Sequence, residues 1–276
     1  MTNFRPGLYV VATPIGNLDD LSKRAIETLA TAQVVAAEDT RTSGVILKRA
    51  GSSARLVSLT EHNVMQRAPG LLETAKDAVV ALVSDAGTPV VADPGARLVE
   101  AAHDAGVSVF AVPGPSALAA AISVSGMSGS DVHFLGFLPR QRGERLRRLE
   151  SAAAAAAVLV IFESPGRLSA TLIELAETFG NPTVTVCREL TKLYEEVVRG
   201  EAASLAARFA GTRGECTIVV QVPERPENDS PAVAEYLAAM QRAGARRSPA
   251  AAEAARRFGI TREEAYNAWP ATTGQT

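Results

Sequence analysis

Short apolar runs alternate with amphipathic stretches through the first half of the chain. LYVVAT (8–13), VVAAE (34–38), RLVSL (55–59), VVALVS (79–84) and VSVFAV (107–112) read as strands rich in Val and Leu. Amphipathic segments near 20–32, 42–50, 66–77, 94–105 and 115–125 lie between or after them. Strands alternating with helices of this length predict a parallel sheet covered on both faces. Continuous apolar runs, in place of strict alternation, agree with strands buried on both sides.

The rhythm breaks after Gly126, and GFLPRQRG (136–143), with its Gly, Pro and charge, reads as a linker. A second α/β unit follows: a helix near 144–155, a strand at 158–164 and a helix near 166–179, then strand-like stretches at 183–189, 195–200 and 216–222. The run of consecutive strands predicts a mixed sheet. PERPENDSP (223–231) is a second linker on composition, and three helices are expected beyond it, near 232–243, 249–258 and 261–268. Pro249 stands where a first-turn proline is tolerated, and Thr261 followed by Glu264 fits a capping box. The last two segments read as helix, Gly turn, helix, a pattern shared by nucleic-acid-binding modules and by alanine-rich docking or dimerisation bundles. The fold class predicted is α/β, with a parallel-sheet domain over 1–126, a mixed-sheet domain over 127–224, and a linker with a small helical module over 225–276.

Composition narrows the function classes. The chain has 276 residues, 47% hydrophobic and 21% charged, which is ordinary for a globular protein. The longest apolar run, Ala152 to Phe162, falls short of the ~18 residues of a membrane span. The first residues lack the basic region and cleavage signal of a secretory leader. Cys187 and Cys216, both inside apolar runs, fit reduced thiols in the cytoplasm. Neither their spacing nor that of His62, His103 and His133 makes a metal site. A formal net charge of −2 is not the footprint of a nucleic-acid binder. Locally, however, Arg140, Arg142, Arg145, Arg147 and Arg148 are opposed only by Glu144. That cluster is either a phosphate-neutralising surface or a solvated helix face.

Three loops follow strands of the first half, where α/β proteins place ligands: TPIGN (13–17), SDAGTPVVADPG (84–95) and VPGPSA (112–117). Each joins Gly, which allows close backbone approach, to Pro, which stiffens the turn. Asp85 is the carboxylate best placed to meet a ligand. A polar set lies at other strand ends: Glu38, Asp39 and Arg41; Glu61, His62 and Asn63; Glu163 and Arg167; Arg188, Glu189 and Lys192. His62, beside Glu61 and Asn63, is a candidate general base. There is no GxGxxG or GxxxxGK[ST] loop, which disfavours dinucleotide oxidoreductases, nucleotide hydrolases and the common Rossmann-type methyltransferases.

ATPIGNLDDLS, AEDTRTS, SDAGTPVVADPG, VPGPSALAAAISVSG, FLGFLP, FESPGRL and CRELTK occur in that order. Together they closely resemble the ribosomal RNA small-subunit (cytidine-2′-O)-methyltransferase family of the tetrapyrrole methylase superfamily, over about residues 7–222. The segment 231–268 is similar to the helix-turn-helix appendage that members carry. Departures are Gly166, where a histidine is usual, and the alanine tract 152–157. The resemblance implies S-adenosyl-L-methionine bound between two α/β domains, commonly in a homodimer, and methyl transfer to a cytidine ribose in the decoding region of 16S rRNA, free or in the small subunit. It implies donor contacts from Pro14, from Asp85, Ala86, Gly87, Thr88 and Pro89, and from Ser116, Ala117, Phe162, Glu163, Leu190, Cys216 and Thr217. For the transfer itself Glu61 or His62 is expected as base with Asp39 orienting it, and Arg41, Arg188 or Lys192 as phosphate ligands. The competing readings are a methylase of a small tetrapyrrole-type substrate and a non-catalytic RNA-binding assembly factor.

Overall fold

The computed structural model describes residues 4–92, 95–129, 131–154, 156–223 and 230–270. Residues 1–222 form one compact unit and residues 223–276 a second.

The first half is a five-stranded sheet. Its strands are β1 (Gly7–Val11), β2 (Val34–Ala37), β3 (Arg55–Ser58), β4 (Val79–Val83) and β5 (Val109–Val112), in the order β3-β2-β4-β1-β5. Every pairing is parallel. Alternate residues serve opposite faces, as the two-residue strand period requires. Leu8, Val34, Ala36, Val80 and Leu82 pack against α3 (Val64–Asp77) and α4 (Ala96–Asp104). Val11, Val35, Ala37, Ala81 and Val83 pack against α1 (Lys23–Thr31) and α2 (Thr40–Ala50). Each leucine so enclosed contributes about 1.5–3 kcal/mol.

The second sheet is mixed. It holds β6 (Val132–Phe137), β7 (Val158–Glu163), β8 (Thr183–Arg188), β9 (Glu196–Glu201) and β10 (Cys216–Gln221), in the order β6-β7-β10-β8-β9. β6 and β7 are parallel, whereas β10 runs antiparallel to both β7 and β8. One face is covered by α6 (Arg142–Ala153), α7 (Pro165–Phe179) and α8 (Ala202–Arg208). The other face, through Val158, Val160, Cys187 and Val219, receives Leu118, Ala121 and Ile122 of α5 (Ala117–Ser125). The helix that closes the first half thus packs on the sheet of the second, and Thr185 Oγ1 fastens it by donating to the Ser125 carbonyl at 3.0 Å. Its small side chains permit that close approach.

Two expectations are corrected here. Residues 136–143 are not a linker: Gly136 and Phe137 end β6, and Arg142 opens α6. β6 escapes the strand pattern because His133 and Gly136 interrupt its apolar residues, as an edge strand allows. Its pairing with β7 slips by one residue between Phe134 and Gly136, a bulge at which Gly136 takes φ 59°. Secondly, α8 lies between β9 and β10, where no helix had been expected. Asp93 and Pro94 of the second ligand loop, Ala155 of the alanine tract and 224–229 of the expected linker lie outside the described residues.

The second unit holds α9 (Ser230–Arg242), α10 (Arg247–Phe258) and α11 (Arg262–Asn267) around Val233, Leu237, Ala250, Ala251, Ala254 and Ala265. Thr261 and Glu264 form the expected capping box at α11. Among the described residues no helix is long and apolar enough to cross a membrane.

Candidate active site

The carboxyl ends of β1, β4 and β5 are tied together before any ligand is considered. Thr13 and Gly87 exchange two backbone hydrogen bonds, the Thr13 N–H donating at 2.8 Å and the Gly87 N–H at 3.0 Å. Thr88 Oγ1 donates to the Pro115 carbonyl at 3.1 Å, joining the third loop to the second. Gly87 has φ 79°, and a Cβ there would lie 3.2 Å from Ile15 Cγ2. This position requires glycine both for conformation and for space.

Against these loops stand the ends of β7 and β10. Because the two strands are antiparallel, the last residues of one meet the first of the other, with Glu163 opposite Cys216 and Phe162 opposite Thr217. Between the two sheets lies a cavity of about 370 Å³, within the size range of small-ligand sites. Ile15, Ala86, Gly87, Thr88, Val91, Ala92, Ser116 and Ala117 line it from the first half. Phe137, Phe162, Glu163, Ser164, Pro165 and residues 214–217 line it from the second.

The walls are mostly apolar, and the polar features fit a zwitterionic nucleoside donor. Ser116 and Ala117 begin α5, and Ser164 and Pro165 begin α7, so two helix N-termini open on the cavity. Such ends favour a carboxylate. The buried Glu163 carboxylate accepts from the Ser164 N–H at 2.8 Å and from Thr171 Oγ1 at 2.7 Å, with Arg167 Nη2 at 3.4 Å. Burial pushes the Cys216 thiol up to about 11, which keeps it neutral. Among the described residues no cluster of His, Cys, Asp and Glu could hold a metal ion.

The chain matches the family Tetrapyrrole (Corrin/Porphyrin) Methylases over residues 7–206. The ribosomal RNA small subunit methyltransferase I of Mesorhizobium japonicum is 44% identical over 266 residues, 95% of this chain and 90% of that protein. The chain belongs to that methyltransferase family. Its Thermotoga maritima relative is 43% identical over 220 residues, which cover 99% of that protein but 79% of this chain. Among solved structures, uroporphyrin-III C-methyltransferase from Thermus thermophilus, complexed with S-adenosylhomocysteine, shares the fold at a TM-score of 0.57 and 19% identity, over 78% of this chain and 96% of that one.

Of the donor contacts that the family resemblance implied, Ala86, Gly87, Thr88, Ser116, Ala117, Phe162, Glu163, Cys216 and Thr217 line the cavity. Pro14 and Pro89 are buried and do not line it, Asp85 adjoins the lining residue Ala86, and Leu190 packs under α5. The cavity is lined in addition by Ile15, Val91, Ala92, Phe137, Ser164, Pro165, Gly214 and Glu215. Several of these had a signal in the sequence: Ile15, Val91 and Ala92 lie in two of the Gly/Pro loops expected to meet a ligand, Ser164–Pro165 is a helix start with Pro at its first position, and the glycine inside FLGF marks a bulge.

The expected catalytic residues are more dispersed. Glu61 and His62 are exposed on the turn after β3, and neither lines the cavity. β3 is the edge strand, separated from β1 by β2 and β4, about 14 Å at the usual strand spacing. Asn63 holds that turn, accepting from the Thr60 N–H at 2.8 Å and donating to the Ser58 carbonyl at 3.2 Å. Asp39 caps α2 and is chelated by Arg41, whose Nη2 lies 2.7 Å from Oδ2. Hydrogen bonds from Arg41 hold its carboxyl down at about 2. The Asp39 backbone N–H donates to Asp85 Oδ1 at 3.0 Å, so these three residues form one group beside Ala86.

Arg188 pairs with Glu196 at 3.0 Å, and Lys192 bridges Glu189 at 2.9 Å and Glu215 at 2.8 Å. Burial alone would lower the Lys192 pKa, but the Glu215 and Glu189 carboxylates outweigh it and raise the value. Lys192 is therefore a cation that fixes the loop after β8 beside Glu215.

The arginine cluster requires a correction. Arg145 is largely covered where it pairs with the buried Glu174, and it also donates to the Pro139 and Arg140 carbonyls, while Arg148 donates to the Leu135 carbonyl. Arg145 therefore holds the fold together and is not a free phosphate ligand, whereas Arg148 stays exposed while it tethers β6. Arg140 and Arg147 are exposed.

Proposed function

We propose that this chain transfers a methyl group from S-adenosyl-L-methionine to the ribose 2′-hydroxyl of a cytidine in the decoding region of 16S rRNA, acting in the cytoplasm as a homodimer. The observation that carries the reading is a cavity built at the strand ends of two sheets, in a chain that matches a ribosomal RNA small subunit methyltransferase over nine-tenths of both proteins.

Bound there, the donor supplies a methyl group already activated by its sulfonium leaving group. The residues of this chain have two tasks. The paired loops after β1, β4 and β5 and the Phe162–Thr217 wall hold the donor and exclude water from it. The rim orients the incoming ribose. Keeping the nucleophilic oxygen about 3–3.5 Å from the methyl carbon and in line with the breaking bond provides several kcal/mol, and a positioned base adds about 10²–10⁴-fold. Positioning is the larger contribution in this reading, because the titratable side chains lining the cavity are already engaged or neutral: Glu163 is fully hydrogen-bonded, Glu215 is paired with Lys192, and the Cys216 thiol is protonated. The Asp39–Arg41–Asp85 group supplies the polar rim. Arg41, 90% exposed, is the cation there that can exchange its carboxylate for an RNA phosphate at little cost. Leu193 and Tyr194, large and exposed after β8, supply apolar surface for self-association.

The test is transfer of labelled methyl to small ribosomal subunits lacking their native modification, followed by nuclease mapping. A 2′-O-methylcytidine in the decoding region is expected. Donor binding with no label on subunits or naked RNA would refute the reading.

A further inference from the structure

We infer that Phe137 is a stacking platform for the unstacked base of the nucleotide being methylated, an inference that rests on the RNA-methylating function proposed above. Three observations converge on this ring. It lines the cavity yet is 59% exposed, so it stands at the mouth and not in the depth. It reaches that place through the bulge in β6. In an uninterrupted pairing with β7, Phe137 would fall opposite Glu163 and share the helix-covered face with Leu135. The slip between Phe134 and Gly136 instead sets Phe137 opposite Phe162, because a one-residue shift moves a side chain to the other face. Bulges next to active sites commonly re-aim a side chain in this way.

The third observation is the rigidity of the support. Phe162 meets Phe134 edge-on at 4.8 Å and Phe137 edge-on at 5.8 Å, so the exposed ring is the outer member of an aromatic cluster. The backbone on either side is held by guanidinium groups: Arg148 on the Leu135 carbonyl, Arg167 on Leu138 and Pro139, and Arg145 on Pro139 and Arg140. Three arginines are thus spent on the frame of one exposed phenylalanine.

The chemistry of the substrate supplies the occupant. A ribose can reach a methyl group inside this cavity only if its nucleotide leaves the stack, and the freed base then needs a new π-face. Proteins that bind unpaired RNA supply it with aromatic side chains. The donor is enclosed by the inner walls, so a ring on the rim faces what arrives from outside.

The experiment compares wild type with Phe137→Ala, Phe137→Leu and Phe137→Trp, using methyl transfer to unmodified small subunits and calorimetric binding of S-adenosylhomocysteine. Both Ala and Leu should lower kcat/KM for the subunit by about fivefold to a hundredfold, the range of one base–aromatic stack. Trp should retain activity within a few-fold. The affinity for S-adenosylhomocysteine and the melting temperature should not move. Full activity of the Leu variant would overturn the inference, since leucine keeps the apolar contact and loses only the π-face. An equal fall in S-adenosylhomocysteine affinity would overturn it too, by assigning the ring to the donor. Wild-type protein that labels no RNA would remove the function on which the inference rests, an outcome distinct from an active wild type with active Phe137 variants.

Discussion

Replacing Arg145 with methionine separates a structural role from an RNA-binding one. The Arg145 and Glu174 side chains are only 11% and 8% exposed, and the guanidinium grips both carboxylate oxygens. Removing one partner of such a pair leaves a buried charge and costs about 3–5 kcal/mol. Some relief comes from Arg142, whose Nε lies 3.5 Å from Glu174 Oε1, so the expected loss is about 2–4 kcal/mol. For a unit of this size that corresponds to a Tm lower by about 5–15 °C, readable by calorimetry.

The pH dependence of the same pair has a definite sign. Hydrogen bonds from Arg145, working against burial, lower the Glu174 pKa. Its contribution is therefore complete above the ordinary carboxylate range and is lost as pH falls through the depressed folded value. The gap in stability between wild type and Arg145→Met should close on acidification. Replacing both residues with apolar side chains should cost less than the sum of the single changes, because no charge is then left unpaired. A Tm unchanged by Arg145→Met, with RNA affinity weakened, would refute this account and restore the arginine to the substrate surface.

Further outcomes follow from other parts of the structure. Gly87→Ala should lose about 1–2 kcal/mol of stability from its left-handed backbone and weaken donor binding at least tenfold; unchanged affinity by calorimetry would remove Gly87 from the donor site. Asp39 should titrate near 2 by carbon-13 NMR, leaving it charged throughout the range of an activity assay, and a midpoint at the ordinary 3.8 would show that the Arg41 chelate does not persist in solution. Cys187 and Cys216, both raised to about 11 by burial, should resist a thiol reagent at pH 8 until the protein unfolds; rapid labelling of the native protein would contradict this. A chain ending at Val222, where the first compact unit ends, should keep donor affinity while binding small subunits less tightly; unchanged subunit binding would deny the terminal helices a substrate role.

Much of this architecture was legible because its signals are local. The Val- and Leu-rich runs and the Gly/Pro loops after them announce parallel strands with ligands at their ends, and Thr261–Glu264 announces a helix start. The features that escaped depend on partners remote in sequence. Arg145 looks like one of five surface cations until Glu174 is brought to it by α7. That Glu61 and His62 follow an edge strand outside the cavity lining, with Asn63 occupied in its own turn, could not be read from their spacing. β6 lacks a continuous apolar run because one of its edges is unpaired and its bulge needs Gly136. The cavity wall at Gly214 and Glu215 exists only where two sheets meet, and no spacing along the chain encodes that meeting.

The position of β10 carries a consequence for the making of the protein. It is the last strand among the described residues, yet it lies between β7 and β8. Until Cys216–Gln221 has been synthesised, those two strands present open hydrogen-bonding edges, and the second sheet exists only as two separate pairs. Open edges on Val-rich strands invite pairing with other chains, and non-local closure is slow. A chain that stops short of β10 therefore faces aggregation as its main hazard, and the nascent protein is most vulnerable just before its first unit is complete.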